Sequence, residues 1–198
     1  MSGLTPSQTV GPFFAYGLTP DGDYEWNDAF TNNLVTPDAA GERIRIAGQV
    51  FDGDGVPVPD SMLEIWQADA QGRFSDPKDK RALPNASFRG FGRCGANSEG
   101  GFAFDTIKPG IVPDPDGNPQ APHILMAIFA RGMTRHLYTR IYFEDEGDKN
   151  ATDFALALVP ADRRGTLIAR REKGVDGVAY YRFDVRLQGE GETVFFDI

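Results

Sequence analysis

His123-Ile124-Leu125-Met126-Ala127-Ile128-Phe129-Ala130 is the most apolar stretch of the 198-residue chain, hydrophobic without a break after its first residue. A short continuous apolar run of this kind reads as a central strand covered on both faces. Arg131-Gly132-Met133-Thr134-Arg135-His136 follows as a connection into a second strand over residues 137–144. Upstream, Ile44, Ile46, Gly48 and Val50 alternate with Arg43, Arg45, Ala47 and Gln49, the period of a half-buried strand. Asp52-Gly53-Asp54-Gly55 supplies turn chemistry, and residues 61–68 alternate again, with Leu63, Ile65 and Gln67 set against Met62, Glu64 and Trp66. The two runs therefore read as a hairpin. Phe102, Phe104 and Thr106 share one side of residues 101–106, and Tyr181, Phe183, Val185 and Leu187 alternate with Arg182, Asp184 and Arg186. Thr193-Val194-Phe195-Phe196 reads as a last strand, and residues 160–165, Pro at the start and Gly at the stop, as one helical turn. Seven or eight short strands separated by turn signals predict an all-β fold, a β-sandwich with long loops and one or two short helices.

The chain divides at about residue 40. Residues 1–40 contain Pro6, Pro12, Pro20 and Pro37 and no sustained period, the pattern of an extended N-terminal arm. The arm also carries Phe13, Phe14, Tyr16, Tyr24, Trp26 and Phe30, which are costly to leave in water. It must lie on something, either its own sandwich or a neighbouring subunit. Residues 41–198 form the sandwich domain, in which the long polar stretch 69–100 reads as a loop of the kind that covers a site or performs a function.

With 29 acidic against 20 basic residues the net charge is −9, and no segment gathers Lys or Arg into the stripe that nucleic acid or an anionic membrane requires. The first residues, Met1-Ser2-Gly3-Leu4-Thr5-Pro6, lack the basic and apolar regions of a secretion signal, and no later run could span a bilayer. A cytoplasmic protein is expected. Cys94 is the single cysteine, so neither an intrachain disulfide nor a cysteine zinc site is available. Arg outnumbers Lys by 15 to 5, a skew that suits ion pairs at an interface.

Two histidines, His123 and His136, are the obvious metal donors. If residues 122–130 and 137–144 form a hairpin turning near Met133, about eight residues at roughly 3.3 Å each separate them. They cannot then share an ion. No Gly-x-Ser-x-Gly elbow, P-loop or dinucleotide fingerprint is present, and Cys94 has no histidine nearby in sequence. Local composition alone describes a binding or interaction domain.

Five segments taken together carry more. Gln8-Thr9-Val10-Gly11-Pro12-Phe13, Gly48-Gln49-Val50-Phe51-Asp52, Leu63-Glu64-Ile65-Trp66-Gln67-Ala68-Asp69, Phe104-Asp105-Thr106-Ile107-Lys108-Pro109-Gly110 and Gly189-Glu190-Gly191-Glu192-Thr193-Val194-Phe195-Phe196 resemble, in order and spacing, the intradiol ring-cleaving dioxygenases. The resemblance covers nearly the whole chain and is strongest to members assembled from α and β chains. It implies a sandwich core of mixed strands, a non-haem Fe(III) held by two tyrosines and two histidines, and O2-dependent opening of protocatechuate between its hydroxyls to 3-carboxy-cis,cis-muconate. Hard Fe(III) favours anionic phenolate oxygens, which is the physical sense of that ligand set.

At the matching places this chain departs from the pattern. Phe74 follows Gly72-Arg73 where a tyrosine is expected, Val112 stands at the second tyrosine position, and the His-x-His pair has become His123-Ile124-Leu125. The resemblance therefore implies an iron-free α chain with no catalytic or metal residue of its own, Fe(III) being bound by a partner β chain. What it assigns to this chain is part of the wall of its partner's substrate pocket, at Thr9, Gly11, Pro12 and Arg131. Gly11-Pro12 offers a stiff backbone that can approach a flat ring, and Arg131 a guanidinium for the substrate's carboxylate. Two alternatives stand beside this reading: an iron-free sandwich acting alone as a ligand- or protein-binding module, and an enzyme whose iron is held by His123 with Tyr138 or Tyr142.

Overall fold

A strand with one apolar face is stable only when a second layer covers that face, and the alternating runs of this chain satisfy the requirement against one another. The computed structural model describes residues 17–19, 31–82 and 88–197. Its strands are β1 (Arg43–Phe51), β2 (Met62–Trp66), β3 (Phe91–Gly95), β4 (Gly101–Ile107), β5 (Val112–Pro113), β6 (Pro119–Gln120), β7 (His123–Phe129), β8 (Leu137–Phe143), β9 (Ile168–Val175), β10 (Val178–Arg182) and β11 (Val185–Arg186). Two single-turn helices, α1 (Gly147–Asn150) and α2 (Phe154–Ala157), follow β8.

The main sheet runs β11-β1-β10-β9-β8-β7-β2-β3, with β4 added to the other edge of β1. Strand β1 is parallel to β10 and β11 and antiparallel to β4, so the core is of mixed strands as the resemblance implies. The β8–β9 junction is only two residue pairs long, Tyr142 with Ile168 and Phe143 with Ala169, and there the sheet folds over on itself. Ile44, Ile46, Phe102, Phe104 and Tyr181 from one half then meet Leu63, Ile65, Ile124, Met126, Ile128 and Phe143 from the other in a single core. Lys108, at the end of β4, pairs with Asp145 and Glu146 at 2.8 and 2.9 Å, tying β4 to the turn after β8. Burial opposes its charge, but the two carboxylates outweigh that and raise the ammonium's pKa.

Most of the period-two readings hold, and the exceptions have causes. The turn at Asp52 forms, with Asp52 N–H donating to the Val56 carbonyl at 2.9 Å, yet β1 and β2 do not make a hairpin. Pairing stops at a single bridge between Phe51 and Pro57, because Pro57 and Pro59 supply no N–H and both edges of β1 belong to β4, β10 and β11. The chain instead crosses to the other half, where β2 sits between β7 and β3. Strand β3 lies inside the stretch read as one long loop, and β9 is an arginine-rich strand without an alternating signal. The late strand breaks into β10 and β11 where Asp184 accepts the Gln49 N–H at 2.9 Å through its side chain. The expected last strand is reduced to one bridge, Tyr138 with Phe196, and the helical turn after Pro160 settles slightly later, at Arg164–Leu167.

Of the N-terminal arm, Thr9, Gly11 and Pro12 lie outside the described residues, as do Tyr24 and Trp26. Residues 31–34 do lie on their own sandwich: Leu34 N–H donates to Asp105 O at 2.7 Å and the Leu34 side chain is buried in the main core.

Gly48 shows how tight the sheet is, since a Cβ there would stand 1.7 Å from the Phe183 carbonyl oxygen. Gly48→Ala is expected to cost about 3 kcal/mol or more, a backbone clash that rotamer changes cannot relieve, whereas Gly165→Ala, with open space around it, should stay within about 0.5 kcal/mol. Urea unfolding of the two variants checks this; equal midpoints would contradict it.

Candidate functional site

Burial of Ile124, Met126 and Ile128 in the core forces His123 and Leu125 onto the opposite face of β7. The register then sets their neighbours: His123 lies beside Tyr142 of β8, and Leu125 is flanked by Trp66 of β2 and Arg140 of β8. This outer face is covered by a second, smaller cluster in which Leu156, Val159 and Leu167 gather around Tyr142, with Phe196 packed against it. Strand β7 is thus buried on its core face and half-buried at His123, Leu125 and Phe129 on the other, less completely covered than its apolar sequence predicts. The outer layer leaves a cavity of about 300 Å³.

Two loops close the cavity. Asp69 organises the first by accepting the backbone N–H of Gln71 and of Arg73, each at 2.9 Å, and pairing with the Arg73 guanidinium at 2.7 Å. Its carbonyl accepts the Gly110 N–H at 2.9 Å and so binds the second loop. Contact this close needs residues without a Cβ: one at Gly72, whose φ is +74°, would be 1.8 Å from Ile111 O, and one at Gly110 would be 2.4 Å from Ala70 O. The result is that Phe74 and Val112 line the same cavity as His123 and Leu125. Four positions matched to ligand places from sequence alone are brought together.

Phe74 stacks on Trp66 with ring centroids 5.9 Å apart and planes 10° from parallel. Opposite them the Arg140 guanidinium lies 5.9 Å from the Phe196 ring centroid, donates to Gln120 Oε1 at 3.0 Å and reaches the Tyr142 hydroxyl at 3.3 Å. The Tyr142 hydroxyl in turn donates to Asp153 at 3.0 Å, and the same carboxylate accepts the backbone N–H of Leu156 and of Ala121. Burial pushes the Tyr142 phenol well above its ordinary pKa. His123 Nδ1 is 2.8 Å from the Ala121 carbonyl, which can only accept, so the neutral ring carries its proton on Nδ1 and a lone pair on Nε2. Burial first, and the Arg140 charge second, bring its pKa down to about 4.

These residues do not fit a ferric ion. Phe74, Val112 and Leu125 offer no donor atom, Tyr142 is protonated and engaged by Asp153, and a guanidinium lines the cavity where a cation would have to sit. Tyr138, the other tyrosine considered beside His123, pairs with Ala127 and packs edge-on against His136 near the β7–β8 turn. His136 itself is at that turn, at the far end of the strand pair from His123, as the spacing predicts. Among the described residues no three His, Cys, Asp or Glu side chains form a cluster suited to a metal. Arg131 follows the far end of β7, with its side chain 71% exposed and its Nε 2.9 Å from Asp60. It is not among the residues that line this cavity.

The architecture is a mixed β-sandwich with a ring-walled cavity on the outer face of its central strands. Comparison with known proteins makes this specific. Residues 11–189 match the family described as Dioxygenase. The chain is 47% identical over 197 residues to the protocatechuate 3,4-dioxygenase alpha chain of Burkholderia cepacia, covering 98% of this chain and 97% of that one. It is 35% identical over 175 residues to the beta chain from the same organism, covering 84% of this chain and 73% of the other. Among solved structures, the dioxygenase domain of a carbohydrate-binding fusion from Streptomyces sp. SirexAA-E superposes with a TM-score of 0.62 at 25% identity, over 93% of this chain and 99% of that one. The chain belongs to the intradiol dioxygenase family, which is iron-dependent.

Because His123 is neutral in the fold and has a pKa of about 6.5 in an unfolded chain, the unfolded state binds the extra proton between those values. Stability conferred by this residue is complete above about pH 6.5 and is lost as pH falls towards about 4. An NMR titration of the imidazole should find the Nδ1-protonated tautomer at pH 7 and a midpoint near 4; a midpoint near 6.5 would contradict the placement beside Arg140.

Proposed function

We propose that this chain is the non-catalytic, iron-free α subunit of a protocatechuate 3,4-dioxygenase, an αβ enzyme of aromatic catabolism in the cytoplasm. The observation that carries this reading is the convergence of Phe74, Val112, His123 and Leu125 on one cavity. The place where relatives are implied to hold iron survives here as a shape, with one imidazole and three hydrocarbon side chains. The near end-to-end match to an alpha chain and the weaker match to a beta chain support an assembly of both kinds.

In this reading the β chain binds Fe(III), and the metal there supplies the activation of catecholate and O2. The ring opens between its two hydroxyls, and both atoms of O2 are taken up to give 3-carboxy-cis,cis-muconate. The part played by this chain is positional. Of residues 1–40, the part before Thr31 reaches across the subunit boundary, while residues 31–34 pack on this chain's own sandwich, residues 41–198, and anchor it. Thr9, Gly11 and Pro12 form one wall of the partner's pocket, with backbone close to the flat ring. Arg131 binds the carboxylate that protocatechuate carries opposite its hydroxyls. Its exposure and its one ion-pair partner among the described residues, the exposed Asp60, support the last assignment, since a guanidinium in a surface ion pair can exchange partners at little cost.

Co-expression with the β chain encoded beside it tests the reading. Protocatechuate-dependent O2 uptake is expected only from preparations containing both chains, and uptake by this chain alone would overturn it. In the assembly, Arg131→Ala should raise KM for protocatechuate about tenfold with a smaller change in kcat, because a clamp remote from the reacting carbons acts on ground and transition states alike. An unchanged KM would remove Arg131 from the pocket.

A further inference from the structure

The cavity beside His123 is more than an emptied metal site, because it holds a cation of its own. Among the described residues Arg140 has no carboxylate at ion-pair distance, and its hydrogen bonds go to the neutral side chains of Gln120 and Tyr142. The nearby carboxylate, Asp153, is buried and committed to three other donors. A guanidinium in partly apolar surroundings without a counter-ion gains more from an anion than one in water does. Its surroundings limit which anion. Trp66 and Phe74 present a stacked pair of rings on one side, Phe196 lies against Arg140 on another, and Val112 and Leu125 complete an apolar lining. At about 300 Å³ the space is at the small end of ligand sites and suits a single ring.

We propose that this cavity binds a small aromatic carboxylate, its carboxylate on the Arg140 guanidinium and its ring between the Trp66–Phe74 pair and Phe196. The carboxylate replaces the missing counter-ion, and the flat apolar walls favour a ring over a compact anion such as phosphate, which would leave most of its oxygens without donors. The described residues that line the cavity all belong to this chain, and Arg131 is not among them.

The test uses the full chain together with whatever partner co-purifies, titrated with 4-fluorobenzoate by fluorine NMR, and crystals soaked in 4-iodobenzoate to place the iodine by its anomalous signal. The expected result is an iodine peak in the cavity, with a binding event in solution weakened at least tenfold by Arg140→Met. Leu125→Trp, which fills the half-buried edge of the cavity and leaves Arg140 intact, should abolish the same event while a site on a partner chain remains unchanged. A cavity without iodine, or binding unaltered in both variants, would overturn the proposal. So would inorganic phosphate competing at equal affinity, since that would show recognition of charge alone. Thermal melting of each variant separates loss of binding from loss of fold.

Discussion

The strict alternation of side chains along β7 is the constraint on which the rest of the molecule depends. Because Ile124, Met126 and Ile128 are committed to the core, His123 and Leu125 have no choice of face, and the antiparallel register places Tyr142 and Arg140 next to them. A one-residue slip of β7 would exchange its buried row for its cavity row, placing the His123 imidazole inside the sandwich. Core packing therefore fixes the geometry of the site. That explains how the arrangement of four positions persists when three of the side chains there have no donor atom to hold a metal.

The cavity combines a cationic side chain with a lining poor in metal donors. A ferric site attracts anions through the metal, and here Arg140 occupies the same cavity with a charge carried by the chain itself. Burial lowers the pKa of His123 and raises that of Tyr142, and the Arg140 charge adds to the first shift while opposing the second. The cover comes from distant segments, residues 156–167 and the C-terminal Phe196, tied down by Phe196 N–H donating to Tyr138 O at 2.8 Å. Burial by this layer, more than any single contact, sets the electrostatic character of the site.

Much of the fold was legible in the sequence because apolar alternation is strong in β1, β4, β7 and β10. Elements without that signal were not. In β3, Phe91-Gly92-Arg93-Cys94-Gly95 owes its place to backbone pairing with β2 and to Leu34 filling the space beside Gly92, neither of which is visible locally. The β1–β2 hairpin failed because turn chemistry says that a chain reverses, not that the strands on either side remain partners. In the site, Phe74, Val112, His123 and Leu125 were found through resemblance, whereas Arg140, Gln120, Trp66 and Phe196 were missed. A polar residue on an alternating strand reads as solvent-facing. The signal that would have found Arg140 is the register itself, since a turn near Met133 sets Tyr138, Arg140 and Tyr142 on one face of β8 opposite Leu125 and His123.

The iron content of the assembly bears most directly on this picture. With chains counted by quantitative amino-acid analysis and metal by mass spectrometry, an iron-free cavity between Phe74 and Leu125 predicts one iron for each pair of α and β chains. Two irons per pair would contradict it and would require donors at the cavity that the structure does not place there.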